Sequence, residues 1–348
     1  MRVKPVGAVV YGIDLGKSSY HVAGTDRDGR VVQRVTLGRA TIFAFFSNAS
    51  AALIGMEACP GSQWLARRLQ SLGHTVRIIP AQFVKPYVKS NKNDSIDAAA
   101  IAEAVTRPSM RFVQVKAIDQ TELQTMHRIR DQLVCSRTSL ICQVRAHCLE
   151  FGIAMRNGAG AFKKEFPLVL ATDSNDLTST MRRLLGDLWS DLQVLESRIA
   201  QLTSDIDGIA ARCDAALRLM SIPGIGRLTA TALIAAAGDG HQFKKARDMA
   251  AWLGLVPAQY STGGKTTLLG ISKRGNQYVR RLLIHGARSC LMHLDRTRDR
   301  LGRWLNQLQG RMHVNKVVVA LANKLARIAW VILNRPGAFY VRDQATAM

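Results

Sequence analysis

Short β-rich runs separated by turn residues fill residues 8–79, and helical stripes take over from residue 117 onward. The first run, Ala8-Val9-Val10-Tyr11-Gly12-Ile13-Asp14, ends in an acid, and Gly16 allows a tight exit from it. Residues 20–23 and 31–37 predict two more strands, joined across Asp26-Arg27-Asp28-Gly29, a strong turn sequence. A helix over 40–48, a fourth strand over 51–57 ending in Glu57, a helix over 62–72 and a fifth strand over 75–79 follow. Next comes Asn91-Lys92-Asn93-Asp94-Ser95-Ile96-Asp97, which opens an Ala-rich helix. Farther on, Leu123, Met126, Leu133, Leu140, Val144 and Phe151 share one heptad stripe interrupted by Arg130 and Arg137. A cleaner stripe, Leu185, Leu188, Leu192, Leu195, Ile199, Leu202, Ile206 and Ile209, alternates spacings of three and four as a coiled-coil seam does. That seam serves an intrachain hairpin, a joint between protomers or the core of one bundle. Residues 162–176 between the two stripes read as a connector. Helices are expected over 278–289, 296–309 and 313–334, the last with an apolar face of Val314, Val317, Leu321, Leu325, Ile328 and Ile332.

The order β-β-β-α-β-α-β-α is that of an RNase H-like fold. The expected organisation is a mixed α/β domain over 1–115, a coiled-coil helical region over 116–213 and an all-α domain over 214–348. In such a sheet the ends of the first and fourth strands and the start of the last helix converge. Asp14, Glu57, Asp94 and Asp97 occupy those places. Asp94 and Asp97, three residues apart, project from one helix face. Capping alone explains such a pair, because Asp favours the first helical turn. Four acids converging is harder to explain without a cation, and hard oxygen ligands suit Mg²⁺ or Mn²⁺.

Charge extends this picture. Forty-eight Lys and Arg oppose 25 Asp and Glu, a formal net charge of +23 spread along 348 residues. A protein this basic meets a polyanion, most commonly nucleic acid. An anionic membrane surface is the rival, but Asn323, Lys324 and Arg327 interrupt the most hydrophobic late segment, and no run of spanning length is expected. The apolar stretch at residues 8–13 is too short for a signal peptide. The six cysteines form no CxxC pair and no zinc-like spacing with the eight histidines. They read as reduced, mostly buried thiols of a cytoplasmic protein.

Two downstream stretches carry further chemistry. Ser221-Ile222-Pro223-Gly224-Ile225-Gly226, between helical segments, reads as a helix-hairpin-helix, where the glycine amides and a helix N-terminus can hold a phosphate without reading sequence. Its bland alternative is a tight αα-hairpin. Residues 257–276 read as a loop rich in hydroxyls, glycines and cations, suited to close phosphate approach and an exposed nucleophile. Arg128, Arg130 and Arg137 on the first long helix are candidate phosphate contacts, as are Lys265, Lys273 and Arg274 in the loop.

These residues resemble the DEDD transposases of the IS110/IS1111 group of bacterial insertion sequences, which includes Piv-type DNA invertases and bridge-RNA-guided recombinases. The resemblance runs through Gly12-Ile13-Asp14, Met56-Glu57-Ala58, the Asn91–Ala98 stretch, Ser221–Gly226, Gly254-Leu255-Val256-Pro257, and Ser261-Thr262-Gly263-Gly264-Lys265 with Ile271-Ser272-Lys273-Arg274-Gly275. It implies that Asp14, Glu57, Asp94 and Asp97 are the acidic tetrad of a RuvC-like domain. It also implies a catalytic serine that attacks a DNA phosphodiester, giving a phosphoserine and a free 3′ hydroxyl, and a structured guide RNA that pairs with donor and target DNA. Counting back from Ser272 places that serine at Ser261, whereas counting forward from Pro257 points to Thr262. A primary hydroxyl is the less hindered nucleophile, which favours Ser261. Gly224, Gly226, Thr262, Gly263 and Gly264 join the basic residues as expected nucleic-acid contacts. The expected protein is a dimer or tetramer, because a synaptic complex holds two DNAs. Two other functions compete: a metal-dependent junction-resolving endonuclease using the tetrad alone, and a non-enzymatic architectural binder.

Overall fold

Glycine at two facing strand positions sets the architecture of the first half. Five strands form one mixed sheet in the order β3-β2-β1-β4-β5: β1 (Val10–Leu15), β2 (Ser19–Thr25), β3 (Val31–Gly38), β4 (Leu53–Glu57) and β5 (Thr75–Ile79). β1 runs antiparallel to β2 and parallel to β4, with Gly12 opposite Gly55. Across that pair lies helix α4 (Asp94–Val105). A Cβ on Gly12 would stand 2.0 Å from the Ala98 carbonyl oxygen, and one on Gly55 would stand 2.7 Å from the Val105 Cβ. Two missing side chains thus let the helix backbone lie directly on the sheet. On the opposite face Tyr11 and Ile13 bury against Phe45 and Phe46 of α1 (Thr41–Ser47) and the Leu65, Ala66 and Leu69 stripe of α2 (Ser62–Ser71). Tyr11 meets both phenyl rings edge-on, 5.2 and 6.0 Å between centroids. The observed order fits the RNase H-like expectation. A short helix α3 (Ala81–Val84) and a 3-10 turn at Lys85–Tyr87 were not foreseen.

The computed structural model describes residues 4–88 and 94–342. Asn91, Lys92 and Asn93 lie outside the described residues. The chain divides into two compact units, Met1–Ala117 and Ile118–Met348, so the two long helices group with the C-terminal residues.

In the second unit α5 (Ile118–Leu149) and α7 (Ser179–Arg212) pack as an antiparallel hairpin. Arg130 donates to Thr203 Oγ1 at 2.7 Å, and Arg137 sits 3.6 Å from Glu196, so positions rise on one helix as they fall on the other. Of the expected seam on α7, Leu185, Leu192, Ile199 and Ile206 are buried. The stripe on α5 is shifted: His127, Ile141 and Cys148 are buried with Leu123, Leu133 and Val144, while Met126 and Leu140 are only partly covered. The connector expected over 162–176 is corrected. Residues Ala159–Ala171 form a helix, α6, with Pro167 inside it. Phe162 and Phe166 are fully buried and stack at 5.0 Å, and this packing outweighs the hydrogen bond lost at the proline.

The remaining elements are α8 (Asp214–Met220), α9 (Arg227–Ala237), α10 (Ala246–Trp252), β6 (Pro257–Thr262), β7 (Lys265–Ile271), α11 (Gln277–His293), α12 (Arg300–Gln309) and α13 (Val314–Asn334). α13 corrects the expectation that no segment reaches spanning length: it is long and apolar enough to cross a bilayer. It serves here as a core helix, with Val317, Leu321, Leu325, Ala329 and Ile332 buried against its neighbours. Val314, expected on that face, is exposed. The cysteines are all free, but only Cys148 and Cys290 are buried, and Cys135 and Cys142 are exposed, which corrects the mostly buried expectation.

Candidate active site

Three acids meet on the α4 face of the sheet. Asp14 shares that face with Gly12, two residues earlier on β1, and Asp94 and Asp97 hang from the first turn of the helix above it. Carboxylate oxygens of Asp14, Asp94 and Asp97 all lie within 4.8 Å of one another. The Asp14 carboxyl is pushed above the usual carboxylate range by burial first, then by the negative charge of Asp94 and of Asp97. Such mutual repulsion is what a divalent cation relieves, and an all-oxygen donor set fits Mg²⁺ or Mn²⁺. Glu57 stands at the end of β4, adjacent and parallel to β1, outside the three-acid cluster. It still lies in the same neighbourhood: the Cys59 thiol is raised to about 11 by burial and by the charges of both Glu57 and Asp14.

Sequence reasoning missed His21. It faces Asp14 directly across the β1–β2 ladder, and its Nε2 lies 3.3 Å from Asp94 Oδ2.

The hydroxyl-rich stretch expected as a loop is a β-hairpin, a correction with a clear cause. Gly263 and Gly264 both take positive φ, 54° and 77°, which closes the two-residue turn that matches strand twist. Alternating residues therefore fall on opposite faces. Ser261 pairs with Thr266, whereas Thr262 pairs with Lys265. Both hydroxyl residues are exposed, and Ser261 Oγ accepts from Gln259 Nε2 at 2.7 Å. Lys265 consequently shares a face with Thr262 and not with Ser261.

The base of this hairpin is fixed by backbone contact. Ser272 donates to the Val256 carbonyl at 2.8 Å, and Lys273 to Gly254 at 3.2 Å. A Cβ on Gly275 would stand 1.7 Å from the Trp252 carbonyl oxygen, and one on Gly254 would stand 2.3 Å from that of Arg274. Buried Arg280 ties the two segments together, donating to the Leu253 and Arg274 carbonyls at 2.9 and 2.8 Å. Lys273 is the one non-glycine residue with positive φ among those described, 54°, and it and Arg274 are exposed beside the hairpin.

The Pro-Gly-Ile-Gly turn joins α8 to α9 as expected. Gly224 (φ 85°) presses its carbonyl against Gly286 of α11, so its lack of a side chain serves packing. Gly226 is exposed at the start of α9, and Arg227 beside it lies 3.5 Å from Asp207. Among the arginines of α5, Arg128 is exposed, while Arg130 and Arg137 are turned toward α7.

α5 also carries a buried histidine that the stripe did not reveal. His127 is 3% exposed, with its two ring nitrogens 3.0 Å from Tyr278 Oη and 3.0 Å from Thr231 Oγ1. Burial, then the charge of Arg130, lowers its pKa to about 4. The folded ring stays neutral where the unfolded ring takes a proton, so its contribution is complete above pH ~6.5 and is lost as pH falls toward about 4. Urea unfolding at pH 7 and pH 4.5 is expected to show an acid loss on the order of 2 kcal/mol that is smaller in His127→Gln.

A mixed sheet with carboxylates gathered at its first strand and at the helix above it offers an all-oxygen site suited to a divalent cation. Comparison with known proteins identifies the family. A DEDD transposase model of the IS110 group, described as Transposase, matches residues 11–152. A second, described as Transposase IS116/IS110/IS902 family, matches residues 216–301. A "Probable family 20 transposase" of Pseudomonas aeruginosa is 48% identical, covering 93% of this chain and 96% of its own. The transposase for insertion sequence element IS1111A of Coxiella burnetii is 42% identical, covering 94% and 90%. That for element IS1328 of Yersinia enterocolitica is also 42% identical, covering 94% and 97%. The chain belongs to the IS110/IS1111 family of insertion-sequence transposases.

Proposed function

We propose that this transposase exchanges DNA strands through a serine-linked intermediate, using Asp14, Glu57, Asp94 and Asp97 as a RuvC-like metal-holding tetrad and Ser261 as nucleophile. The observation that carries the proposal is the cluster of Asp14, Asp94 and Asp97 within 4.8 Å. Mg²⁺ bound there would neutralise charge developing on the scissile phosphate and on its leaving oxygen. Asp14 and the α4 acids offer that ion oxygen ligands from a rigid sheet and helix.

Ser261 Oγ bonds to phosphorus, and the bond to the 3′ oxygen breaks. The proton that Ser261 gives up matches the one the leaving oxygen acquires, so no water is consumed. Attack on the phosphoserine by a second strand's 3′ hydroxyl reverses these bonds and restores the serine. Gln259, which donates to Ser261 Oγ, orients a lone pair and leaves the hydroxyl proton free to depart. Lys273 and Arg274, exposed at the hairpin base, contact the DNA backbone. Gly226, Arg128 and Lys265 add contacts that carry no sequence information. Target choice belongs to an element-encoded guide RNA, and the working form is a dimer or tetramer in the cytoplasm.

The test is exchange between two labelled DNAs carrying the element's ends and target, with and without the RNA that co-purifies with the protein. Exchange in Mg²⁺ that stops in EDTA, with no hydrolysed ends, is the expected outcome. Cut ends bearing hydrolysed phosphates without rejoining point instead to a junction-resolving endonuclease.

A further inference from the structure

We propose that His21 is a positioning residue for the metal site: it holds the Asp94 carboxylate that would help bind the cation, and Thr36 in turn fixes the His21 ring. This rests on the metal reading of the acid cluster. Three consecutive strands each contribute one side chain to a row. Asp14 on β1 lies opposite His21 on β2, and His21 lies opposite Thr36 on β3. Directly opposed residues of antiparallel strands project to the same face, so the row lies on the sheet face against which α4 packs on β1 and β2, with Thr36 exposed on β3.

His21 reaches Thr36 within this row and Asp94 on the helix beside it. Its Nε2 is 3.3 Å from Asp94 Oδ2, and its Nδ1 is 3.2 Å from Thr36 Oγ1. A carboxylate can only accept, so the proton between His21 and Asp94 belongs to Nε2. In the neutral ring Nδ1 then accepts from the Thr36 hydroxyl, which selects the tautomer and fixes the ring plane. The need for such a brace follows from exposure. Asp94 has 57% of its side chain open to solvent at the first turn of α4, whereas the His21 side chain is 25% exposed on the sheet. A free first-turn carboxylate has several rotamers to choose from. One held on Oδ2 keeps a single orientation beside Asp14 and Asp97. Ordering the ligand before the ion arrives removes an entropy cost from binding, the service that outer hydrogen-bond partners give metal ligands elsewhere.

The experiment is Mn²⁺ titration of the full-length protein, followed by the loss of the free-ion electron paramagnetic resonance signal, alongside thermal melts in EDTA. His21→Ala is expected to weaken Mn²⁺ binding about 10-fold. His21→Gln, whose amide nitrogen can reach a similar point and donate, is expected to recover most of that loss. Thr36→Val is expected to fall between wild type and His21→Ala. Melting temperatures without metal are expected to stay together, which separates a positioning role from a merely structural one. Wild-type affinity in His21→Ala overturns the proposal, as do equal losses in the alanine and glutamine variants. A wild-type protein that binds no Mn²⁺ removes the metal reading itself, and this proposal with it.

Discussion

Asp14→Asn is expected to slow strand exchange by about 1,000-fold or more while leaving the metal-free protein at least as stable as wild type. A factor of that size corresponds to about 4 kcal/mol of transition-state stabilisation, the scale on which a metal's charge acts at a phosphate. Asparagine keeps the volume of Asp14 and one oxygen but discards the charge. The stability half of the prediction has a sign that can be worked out. Asp14 has its folded pKa raised, by burial and by the charges of Asp94 and Asp97. A carboxyl with a raised folded pKa stabilises the fold at acid pH, and that contribution is lost as pH rises through the folded value. At neutral pH without metal, the Asp14 charge therefore works against the fold, and asparagine relieves it. Melting in EDTA beside the exchange assay checks both halves together. Lower activity accompanied by an unchanged or higher melting temperature separates a metal ligand from a structural residue.

Ser261→Ala is expected to abolish strand exchange, whereas Thr262→Ala is expected to retain most of it. The hairpin register makes these neighbours unequal. Ser261 points to the face that holds Gln259 and Thr266, and Thr262 points to the face that holds Lys265. A change at one position leaves the other's surroundings in place. Both residues are exposed on a two-stranded hairpin, so neither substitution opens a cavity, and the comparison is free of folding effects. Exchange assays on both variants at equal DNA occupancy distinguish loss of chemistry from loss of binding.

Much of the first unit was legible because its strands are short, punctuated by Asp26-Arg27-Asp28-Gly29 and Gly16, and ended by acids. The adjacent, parallel first and fourth strands are as expected, whereas of the four acids expected to converge only Asp14, Asp94 and Asp97 gather, with Glu57 outside their cluster. His21 was not legible, because a histidine on a strand has no signal of its own until register sets it against Asp14. Residues 162–176 misled because Pro167 reads as a breaker, while the pairing of Phe162 with Phe166 that keeps the helix depends on tertiary burial. The hairpin at 257–271 was hidden for a related reason. Its Gly263-Gly264 turn is a strong hairpin signal, but the flanking hydroxyls and glycines lack the apolar alternation that marks a strand packed on a core. The structure explains that absence, since Tyr260, Leu268 and Leu269 on it are all exposed. The buried polar residues His127 and Arg280 carry no sign of burial in the sequence, because the partners that hold them are distant along the chain.

The proposed strand exchange turns on a covalent link between DNA and one serine. Wild-type protein incubated with its DNA and Mg²⁺, denatured, digested with protease and nuclease, and analysed by mass spectrometry gives the most direct measurement. The expected product is a nucleotide joined through phosphate to a peptide at Ser261, and none from Ser261→Ala. An adduct on Thr262, an adduct that survives in Ser261→Ala, or DNA cleavage by the wild type with no adduct would contradict it.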